Sequence, residues 1–248
     1  MPNGTTPKTA AILLVGDEIL RGQVQDENAH HMAKGLNALG IGLQRIEIVG
    51  DDVDDIAEAT ARLSRGHHLV FISGGVGPTH DDVTMDGVAR AFKVSLFPNP
   101  HLVKTLEGWH GTPLSPPLSR LTRIPENAKL VPLEGHFPSV RVENAYIFPG
   151  VPRLLKTKFD AVLSTLKPST PPSITRAFVI LENEFHIAED LRALAHNLAP
   201  GVSVGSYPQR IAHKKHQVRI TLTSRDPQAL DSAEKLLLER LPSLQPEP

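Results

Sequence analysis

Apolar and polar positions follow two periods along the chain, and these periods predict strands that alternate with helices. Short apolar runs at Thr9–Val15, Ile41–Val49 and His68–Ile72 have the length and composition of buried strands. Between these runs, apolar residues recur at helical spacing from Ala29 to Leu39 and from Ile56 to Leu63. The alternation predicts an α/β fold in which helices cover both faces of a three-layer, mostly parallel sheet.

The same alternation continues further along the chain after one irregular interval. The interval Phe97–Pro117 is rich in proline, which excludes one continuous helix there but allows a helix between Asn99 and Trp109. The remaining predicted helices and strands of this region are Met85–Phe92, Leu130–Leu133, Val140–Phe148 and Leu155–Leu166.

A second, smaller module is predicted beyond a proline-containing linker at Lys167–Pro172. We therefore predict a first domain over residues 1–167 and a small α+β module over residues 173–248. The module has the order β-α-β-β-α, with elements at Ile174–Leu181, Phe185–Leu198, Val202–Tyr207, Gln217–Thr223 and Asp226–Leu241. The tail after Pro242 is predicted to be frayed.

Composition excludes several classes of function. The chain has 248 residues with 26 basic and 27 acidic side chains interspersed, which argues against a general nucleic-acid binder. It has no cysteine, so disulfides, thiolate catalysis and cysteine zinc sites are excluded. Its 12 histidines include no pair at the spacing of a hydrolytic zinc helix. Without a span-length apolar run or a signal-peptide core, we expect a cytoplasmic protein that contacts no membrane.

The stretch Ser73–Thr84 carries the most specific candidate chemistry, because it joins a predicted strand to a helix through a glycine-rich loop. Glycines in the loop let backbone N–H groups approach a phosphate closely. Asp81 and Asp82 follow at once, and carboxylates beside a phosphate imply a divalent cation between them. The alternative is purely structural, since Thr79 and Asp82 match a helix capping box.

Three other segments fall at the ends of neighbouring predicted strands. Two of them are acidic, Gly16–Glu18 and Gly50–Asp52, and the third is Pro149–Pro152. Ligands of such sheets bind beyond the carboxyl ends of the strands, so we expect these segments to converge. An oxygen-rich site of this kind suits metal-assisted attack of water on a phosphoanhydride, and suits nucleotidyl transfer equally well. In the alternative reading, the acids cap helices and the groove binds a ligand without changing it.

The motifs at these strand ends resemble the molybdopterin-binding-like domain. The residues that carry the resemblance, which spans about residues 9–167, are Gly16–Leu20, Val49–Asp52, Ser73–Thr84 and Phe148–Pro152. The domain is shared by the competence/damage-inducible protein A (CinA) family, the molybdopterin adenylyltransferases and the N-terminal arm of eukaryotic FAD synthase. The last of these is the most similar, and Ser206–Pro208 and Gln217–Arg219 resemble the small module that follows it.

The resemblance implies a nucleotide pyrophosphatase that hydrolyses FAD or ADP-ribose with magnesium, manganese or cobalt, stimulated by potassium. Asp51 and Asp82 are then the catalytic residues, and Asp51, Asp81 and Asp82 hold the metal. The implied substrate-binding residues are Gly16, Asp17, Glu18, Gly74, Gly75, Gly77, Pro78, Thr79, His80, Pro149, Gly150 and Pro152. The alternative is a non-catalytic module that binds molybdopterin or a nucleotide.

One segment departs from the family pattern. Glu134–Pro138 stands where the CinA family has Gly-Thr-Ala-Pro-Gly, which leaves the choice between FAD, ADP-ribose and a pterin open. Without the synthase or amidase domain of many relatives, FAD synthesis and nicotinamide-nucleotide deamidation are not expected from this chain alone. Related domains form dimers or trimers, and the exposed-prone Phe97–Pro117 segment suits contact with a neighbour. We therefore expect a homodimer more than a homotrimer.

Overall fold

The structure is a computed structural model that describes residues 8–211 and 214–247. The chain forms two compact units, of which the first ends at Thr170 and the second begins at Pro171. Within the described ranges, no helix is both long and apolar enough to cross a membrane.

The first unit alternates strands and helices, as its hydrophobic pattern predicts. Its strands are β1 (Thr9–Val15), β2 (Gly42–Val49), β3 (Leu69–Ser73), β4 (Leu96–Pro98), β5 (Arg123–Pro125), β6 (Lys129–Leu133), β7 (His136–Val142) and β8 (Ala145–Phe148). Its helices are α1 (Asp17–Leu20), α2 (Asn28–Ala38), α3 (Val53–Gly66), α4 (Thr84–Phe92), α5 (Pro100–His110), α6 (Pro116–Arg120) and α7 (Pro152–Thr165). The helix α5 begins where Asn99 accepts hydrogen bonds from the next backbone N–H groups, inside the proline-rich interval.

The main sheet has the strand order β2-β1-β3-β8-β7-β6. The strands from β2 to β8 pair in parallel, while β8 with β7 and β7 with β6 pair antiparallel. In this register Val15 lies opposite Val49, and Ser73 lies opposite Phe148. The carboxyl ends of β2, β1, β3 and β8 therefore lie at one edge of the sheet.

The central strand β1 packs against helices on both faces of the sheet. Leu13 lies in one buried core with Ile56 of α3. Ile12, on the opposite face, lies in a second core with Met32 of α2 and Phe159 of α7. Alternate residues of a strand point to opposite faces, so a fully apolar run such as this one requires cover on both sides. The predicted α/β class with three layers and a largely parallel sheet is confirmed.

The prediction of one strand over Val140–Phe148 is wrong, because the chain reverses there into the hairpin β7–β8. Glu143 adopts a left-handed conformation with φ of 49°, which breaks the extended run. Asn144 then donates hydrogen bonds to the carbonyls of Ser64 and His67 at the end of α3, at 3.0 and 2.8 Å. This anchored reversal makes β8 parallel to β3, and so brings its carboxyl end to the same edge.

The second unit is a small antiparallel sheet with helices, as predicted. Its elements are β9 (Ile174–Ile180), α8 (Glu184–Asn197), β10 (Ser203–Ile211), β11 (Lys214–Ser224), α9 (Pro227–Arg240) and β12 (Gln245–Pro246), and the strand order is β10-β11-β9-β12. The predicted fraying after Pro242 is wrong over the described tail. Leu244 is buried in the core of this unit, and the carboxylate of Glu247 pairs with Arg219 at 2.7 Å.

The ends of β1, β3 and β8 approach each other at Gly74, where no side chain fits. Gly74 has φ of +111°, and a Cβ atom there would lie 1.9 Å from the carbonyl oxygen of Val15. A Cβ atom on Gly150 would in turn lie 3.3 Å from the Cα atom of Gly74. The N–H of Gly74 donates to the carbonyl of Phe148 at 3.2 Å, which joins the loops after β3 and β8.

We predict that Gly74→Ala lowers the melting temperature at least twice as much as Gly22→Ala. Both glycines have positive φ, which costs a non-glycine residue about 1–3 kcal/mol. Only Gly74 also faces backbone at clashing distance, whereas a Cβ on Gly22 (φ +68°) would meet no atom within 4 Å. Thermal unfolding followed by circular dichroism measures both variants against the wild type. Equal losses would show that the contact with Val15 relaxes at no cost.

Candidate functional site

The glycine loop after β3 has backbone donors that the protein itself does not use. The carbonyl of Gly74 accepts the hydroxyl of Thr84 at 2.8 Å, and the carbonyl of Gly75 accepts the N–H of the same residue at 3.0 Å. For the N–H groups of Gly75 and Val76, no acceptor lies within hydrogen-bonding distance in the described part of the chain. Both residues line a large cavity. Unsatisfied N–H groups in a tight glycine turn suit an anion such as phosphate.

Two other glycine N–H groups that the sequence assigns to phosphate have partners inside the protein. The N–H of Gly74 donates to the carbonyl of Phe148, as described above. The N–H of Gly77 donates to Asp82 Oδ1 at 2.6 Å. The N–H groups of Gly74 and Gly77 are therefore not free for a phosphate, which corrects the prediction for these two residues. The donors left free in the loop are those of Gly75, which was predicted, and of Val76, which the motif did not indicate because it is not a glycine.

Asp82 holds the loop and does not cap the helix that follows. Besides Gly77, its carboxylate accepts the N–H of Thr79 at 2.8 Å and the hydroxyl of the same residue. The helix α4 begins two residues later, and its N-cap residue Val83 makes no side-chain cap. The expectation that Thr79 and Asp82 form a capping box for α4 is therefore wrong. Both carboxylate oxygens of Asp82 are used within the loop.

The tip of the loop is open to solvent. His80 is 97% exposed in its side chain and Asp81 is 59% exposed, with 3.8 Å between His80 Nδ1 and Asp81 Oδ1. Hydrogen bonding to Thr79 and to its own backbone N–H lowers the pKa of Asp81, so this carboxylate stays ionised near neutral pH. The tip can therefore move toward a ligand without loss of buried contacts.

A separate acidic group lies at the ends of β1 and β2. The N–H of Asp17 donates to Asp51 Oδ2 at 3.0 Å, and Asp17 pairs with Arg21 at 2.6 Å. The carboxylate of Glu18 folds over Gly16, where a Cβ atom would lie 2.6 Å from its oxygens. Asp17 and Asp51, which are 34 positions apart in the sequence, are therefore brought together as predicted from their strand ends.

The acidic residues do not by themselves form a closed metal site. Among the described residues, no group of three or more histidine, aspartate or glutamate side chains could hold a metal ion. The carboxylate of Asp82 accepts hydrogen bonds from Gly77 and Thr79 inside its own loop, and that of Asp51 accepts the N–H of Asp17. Magnesium in nucleotide sites is often held by one or two carboxylates together with substrate phosphates. A metal at this edge would therefore need further oxygen ligands from a bound molecule.

The cavity beside the glycine loop has a volume of about 600 Å³. It lies on the β8 side of the loop, whereas the acids of β1 and β2 lie on the opposite side. Apolar side chains form most of its wall, and they are Val76, Met85, Leu96, Leu106, Trp109, Leu118, Leu121, Phe137, Pro138, Val140, Ile147, Pro149 and Leu154. The charged or titratable side chains in the wall are Asp82, Asp86, His110, Arg120, Arg123 and Lys158. Its volume falls within the range of small-molecule sites.

The structure distributes the sequence-predicted site residues among five places. Gly75, Gly77, Asp82 and Pro149 line the cavity. Gly16, Asp17, Glu18 and Asp51 lie at the ends of β1 and β2, and Gly74 and Gly150 form the close contact between strand ends. Pro78, Thr79, His80 and Asp81 form the exposed part of the loop, and Pro152 begins α7.

Asn28 is a buried residue at this edge that the sequence did not indicate. Its side-chain NH₂ donates to the carbonyl of Gly150 at 2.7 Å and to Ser73 Oγ at 3.2 Å. Its Oδ1 atom is buried without a partner in the described residues. Asn28 therefore ties α2 to the loop after β8. The available signal was a polar residue at the start of the apolar stripe of α2.

Two family models match the chain, one for each unit. The model described as "Probable molybdopterin binding domain" matches residues 11–168. The model described as "FAD synthase, middle domain" matches residues 172–246.

Individual relatives agree with these matches. A "Probable FAD synthase" of Caenorhabditis elegans is 31% identical over 260 residues, covering 94% of this chain and 50% of that protein. A protein of Archaeoglobus fulgidus is 31% identical over 233 residues, covering 93% of this chain and 96% of that protein. The crystal structure of CinA from Thermoplasma acidophilum has 28% identity and a TM-score of 0.59, covering 63% of this chain and 98% of that one.

The chain spans about half the length of the FAD synthases that it matches. The first family model alone covers more than half of this chain, and the Archaeoglobus protein is matched over nearly its whole length. These findings confirm the resemblance inferred from the strand-end motifs. The chain belongs to the molybdopterin-binding domain family, and its second unit matches the FAD synthase middle domain.

Proposed function

We propose that the chain hydrolyses the pyrophosphate bond of a dinucleotide, FAD or ADP-ribose, to AMP and either FMN or ribose 5-phosphate. The observation that carries the proposal is the pair of unused N–H groups at Gly75 and Val76 in the wall of the 600 Å³ cavity. Relatives named FAD synthase support a nucleotide as the ligand. These donors are suited to bind the pyrophosphate. The cavity is large enough for one of the two groups that the pyrophosphate joins.

The layout on the two sides of the glycine loop favours a ligand with two arms. The cavity extends from the loop toward β8, β7 and α5. The loops after β1 and β2, which carry Asp17 and Asp51, lie on the other side. A pyrophosphate at Gly75 would extend one arm into the cavity and the other over β1. Arg120, which lines the cavity and donates to the carbonyl of Asp82 at 3.4 Å, adds positive charge beside it.

In the proposed reaction, water attacks one phosphorus atom and the bond from that phosphorus to the bridging oxygen breaks. Asp51 takes the proton of the attacking water, and the other half leaves as a phosphate monoester. One oxygen of Asp51 accepts the N–H of Asp17, which orients the carboxylate and leaves its second oxygen for the water. Asp82, with both oxygens bonded inside the loop, keeps the phosphate donors in position.

A divalent ion, magnesium, manganese or cobalt, supplies charge neutralisation of the phosphates when it is bound. Phosphate oxygens would be its main ligands. Asp81, which is exposed and ionised at the tip of the loop, is the carboxylate free to join them, because the two oxygens of Asp51 are assigned to the N–H of Asp17 and to the water. We also propose that potassium stimulates the reaction, without assigning residues that bind it.

The second candidate function is binding without catalysis, of a nucleotide or a pterin. One observation favours it: the described residues hold no preformed group of three metal-ligating side chains. Calorimetry separates the two functions, because a pure binding module retains its affinity in the presence of a chelator and forms no product.

We predict that the purified protein releases AMP from FAD or ADP-ribose when magnesium, manganese or cobalt is present with potassium. Excess EDTA is expected to abolish the release, since the pyrophosphate charge is then not neutralised. Chromatography of the products measures AMP together with FMN or ribose 5-phosphate. Absence of turnover under every metal and substrate combination, with binding retained, would establish the second function instead.

We predict that Asp51→Asn lowers turnover about 100-fold or more, the order expected when a proton-transfer group is lost. Asparagine retains an oxygen for the N–H of Asp17, so the melting temperature should change little. The matched control is Asp52→Asn, because Asp52 only caps α3 by accepting from Asp54 and Asp55, and asparagine caps equally well. Asp52→Asn should keep activity within a few-fold. Equal activity of both variants would remove Asp51 from the mechanism.

We propose that the protein is cytoplasmic.

We predict that it is a homodimer, with a homotrimer as the second possibility. Phe97 and Trp109, in the segment expected to contact a neighbour, are 51% and 53% exposed. Burial of such side chains between copies would be favourable. Light scattering at micromolar concentration measures the mass, and the mass of a single chain would contradict the prediction.

A further inference from the structure

Lys158 of α7 is a buried ammonium in the wall of the cavity. Only 7% of the residue is exposed, and Nζ donates to the carbonyl of Phe137. An ammonium has three donors, and no carboxylate lies within ion-pair distance of this one in the described part of the chain. Burial lowers the pKa of Lys158 to about 8, so at pH 7 the side chain is mostly protonated.

Packing alone does not explain a lysine at this position. Its neighbours on the buried face of α7 are Leu155, Phe159 and Val162, so position 158 continues an apolar stripe. Burial of a charge without a counter-charge is unfavourable, and methionine would fill the same space without that cost. A buried lysine at such a position, facing a cavity, has the properties of a ligand-binding group.

The surroundings of Lys158 indicate the chemistry of the ligand. Trp109 and Phe137 form an aromatic wall, with ring centroids 6.4 Å apart and planes tilted by 59°. Lys158 Nζ lies 5.9 Å from the ring centroid of Phe137. Apolar side chains form most of the rest of the wall, so a sugar, which carries a hydroxyl on nearly every carbon, would bury more polar groups there than a planar ring would. A planar aromatic heterocycle fills such a site better, with carbonyl oxygens that the ammonium can bind.

We propose that this part of the cavity is a subsite for a planar heterocycle bearing ring carbonyls, of the isoalloxazine or pterin class, whose carbonyl edge is bound by Lys158. The inference rests on the proposed function in taking the heterocycle as one arm of the dinucleotide. It deepens that function, because it favours FAD over ADP-ribose. The adenine of either substrate lacks ring carbonyls, and so belongs on the β1 side of the glycine loop.

Riboflavin is the probe that isolates this contact, because it carries the carbonyl-bearing rings without any phosphate. The substitution Lys158→Met should weaken riboflavin binding about tenfold or more, since hydrogen bonds to charged groups contribute about 1.5–3 kcal/mol. Adenosine binding should not change. Fluorescence titration measures riboflavin and calorimetry measures adenosine. Unchanged riboflavin affinity, or a loss confined to adenosine, would overturn the assignment.

FMN separates the carbonyl contact from a phosphate contact. If Lys158 binds phosphate instead, Lys158→Met weakens FMN binding while riboflavin binding stays the same, and the proposal fails. In turnover, the variant should lower kcat/KM for FAD about tenfold but leave that for ADP-ribose within a few-fold. If the wild type hydrolyses neither substrate, the proposed hydrolysis fails, whereas the riboflavin titration still tests the subsite.

The matched control is Lys156→Met, on the same helix. Lys156 is partly exposed, pairs with Glu27 at 2.8 Å and does not line the cavity, so its loss should leave riboflavin binding unchanged. Lys158→Met should fold, and should raise the melting temperature at pH 7 by a few degrees, because it removes a buried charge. That gain should shrink as pH rises from about 8 to beyond 10.5, because the wild-type lysine is then neutral in the folded state and finally in the unfolded state as well. A melting temperature well below the wild-type value would contradict this reading of the position.

Discussion

The close approach of backbone at Gly74 is the constraint on which the candidate site depends. The loop after β3 passes within contact of the end of β1, at the carbonyl of Val15, and of the loop after β8, at Gly150. A side chain at Gly74 would separate these strand ends. With glycine there, the glycine loop after β3 and the acids after β1 and β2 share one edge of the sheet. The parallel pairing of β2, β1, β3 and β8 supplies that edge.

The carboxylate of Asp82 stabilises the glycine loop, whereas its position in the sequence had indicated a catalytic or metal-binding role. An acid beside a phosphate loop repels the ligand unless its charge is compensated. The carboxylate of Asp82 accepts hydrogen bonds from the backbone N–H groups of Gly77 and Thr79, and the guanidinium of Arg120 donates a hydrogen bond to the carbonyl oxygen of Asp82. Its charge therefore serves to hold the loop, and the N–H groups of Gly75 and Val76 are left for a ligand. The acid that stays available, Asp51, lies on the far side of β1.

Much of the fold could be predicted because its signals are local. The apolar run at Thr9–Val15, the glycines after β3 and the prolines between the units each determine structure within a few residues. The two incorrect predictions concern segments whose conformation depends on contacts with residues far away in the sequence. The run Val140–Phe148 is apolar enough for one strand, but Asn144 is held by the end of α3 and the chain reverses. The tail after Pro242 is polar in composition, yet Leu244 belongs to the core of the second unit.

The motifs of the candidate site could be predicted from the sequence, whereas the residues of the cavity wall could not. The reason is again that local signals are visible in a sequence and contacts between distant elements are not. Glycine and aspartate clusters at strand ends are visible in sequence, because chemistry and chain geometry restrict which residues can stand there. The cavity wall joins α5, β7 and α7, and no motif links these elements. One signal was nonetheless present, since Lys158 continues the stripe of Leu155, Phe159 and Val162 on α7. A charged residue on an apolar helical face is either matched by a buried partner or available to a ligand. The fold decides between these two outcomes, because it places Lys158 against a cavity and a carbonyl group, with no acid beside it in the described chain.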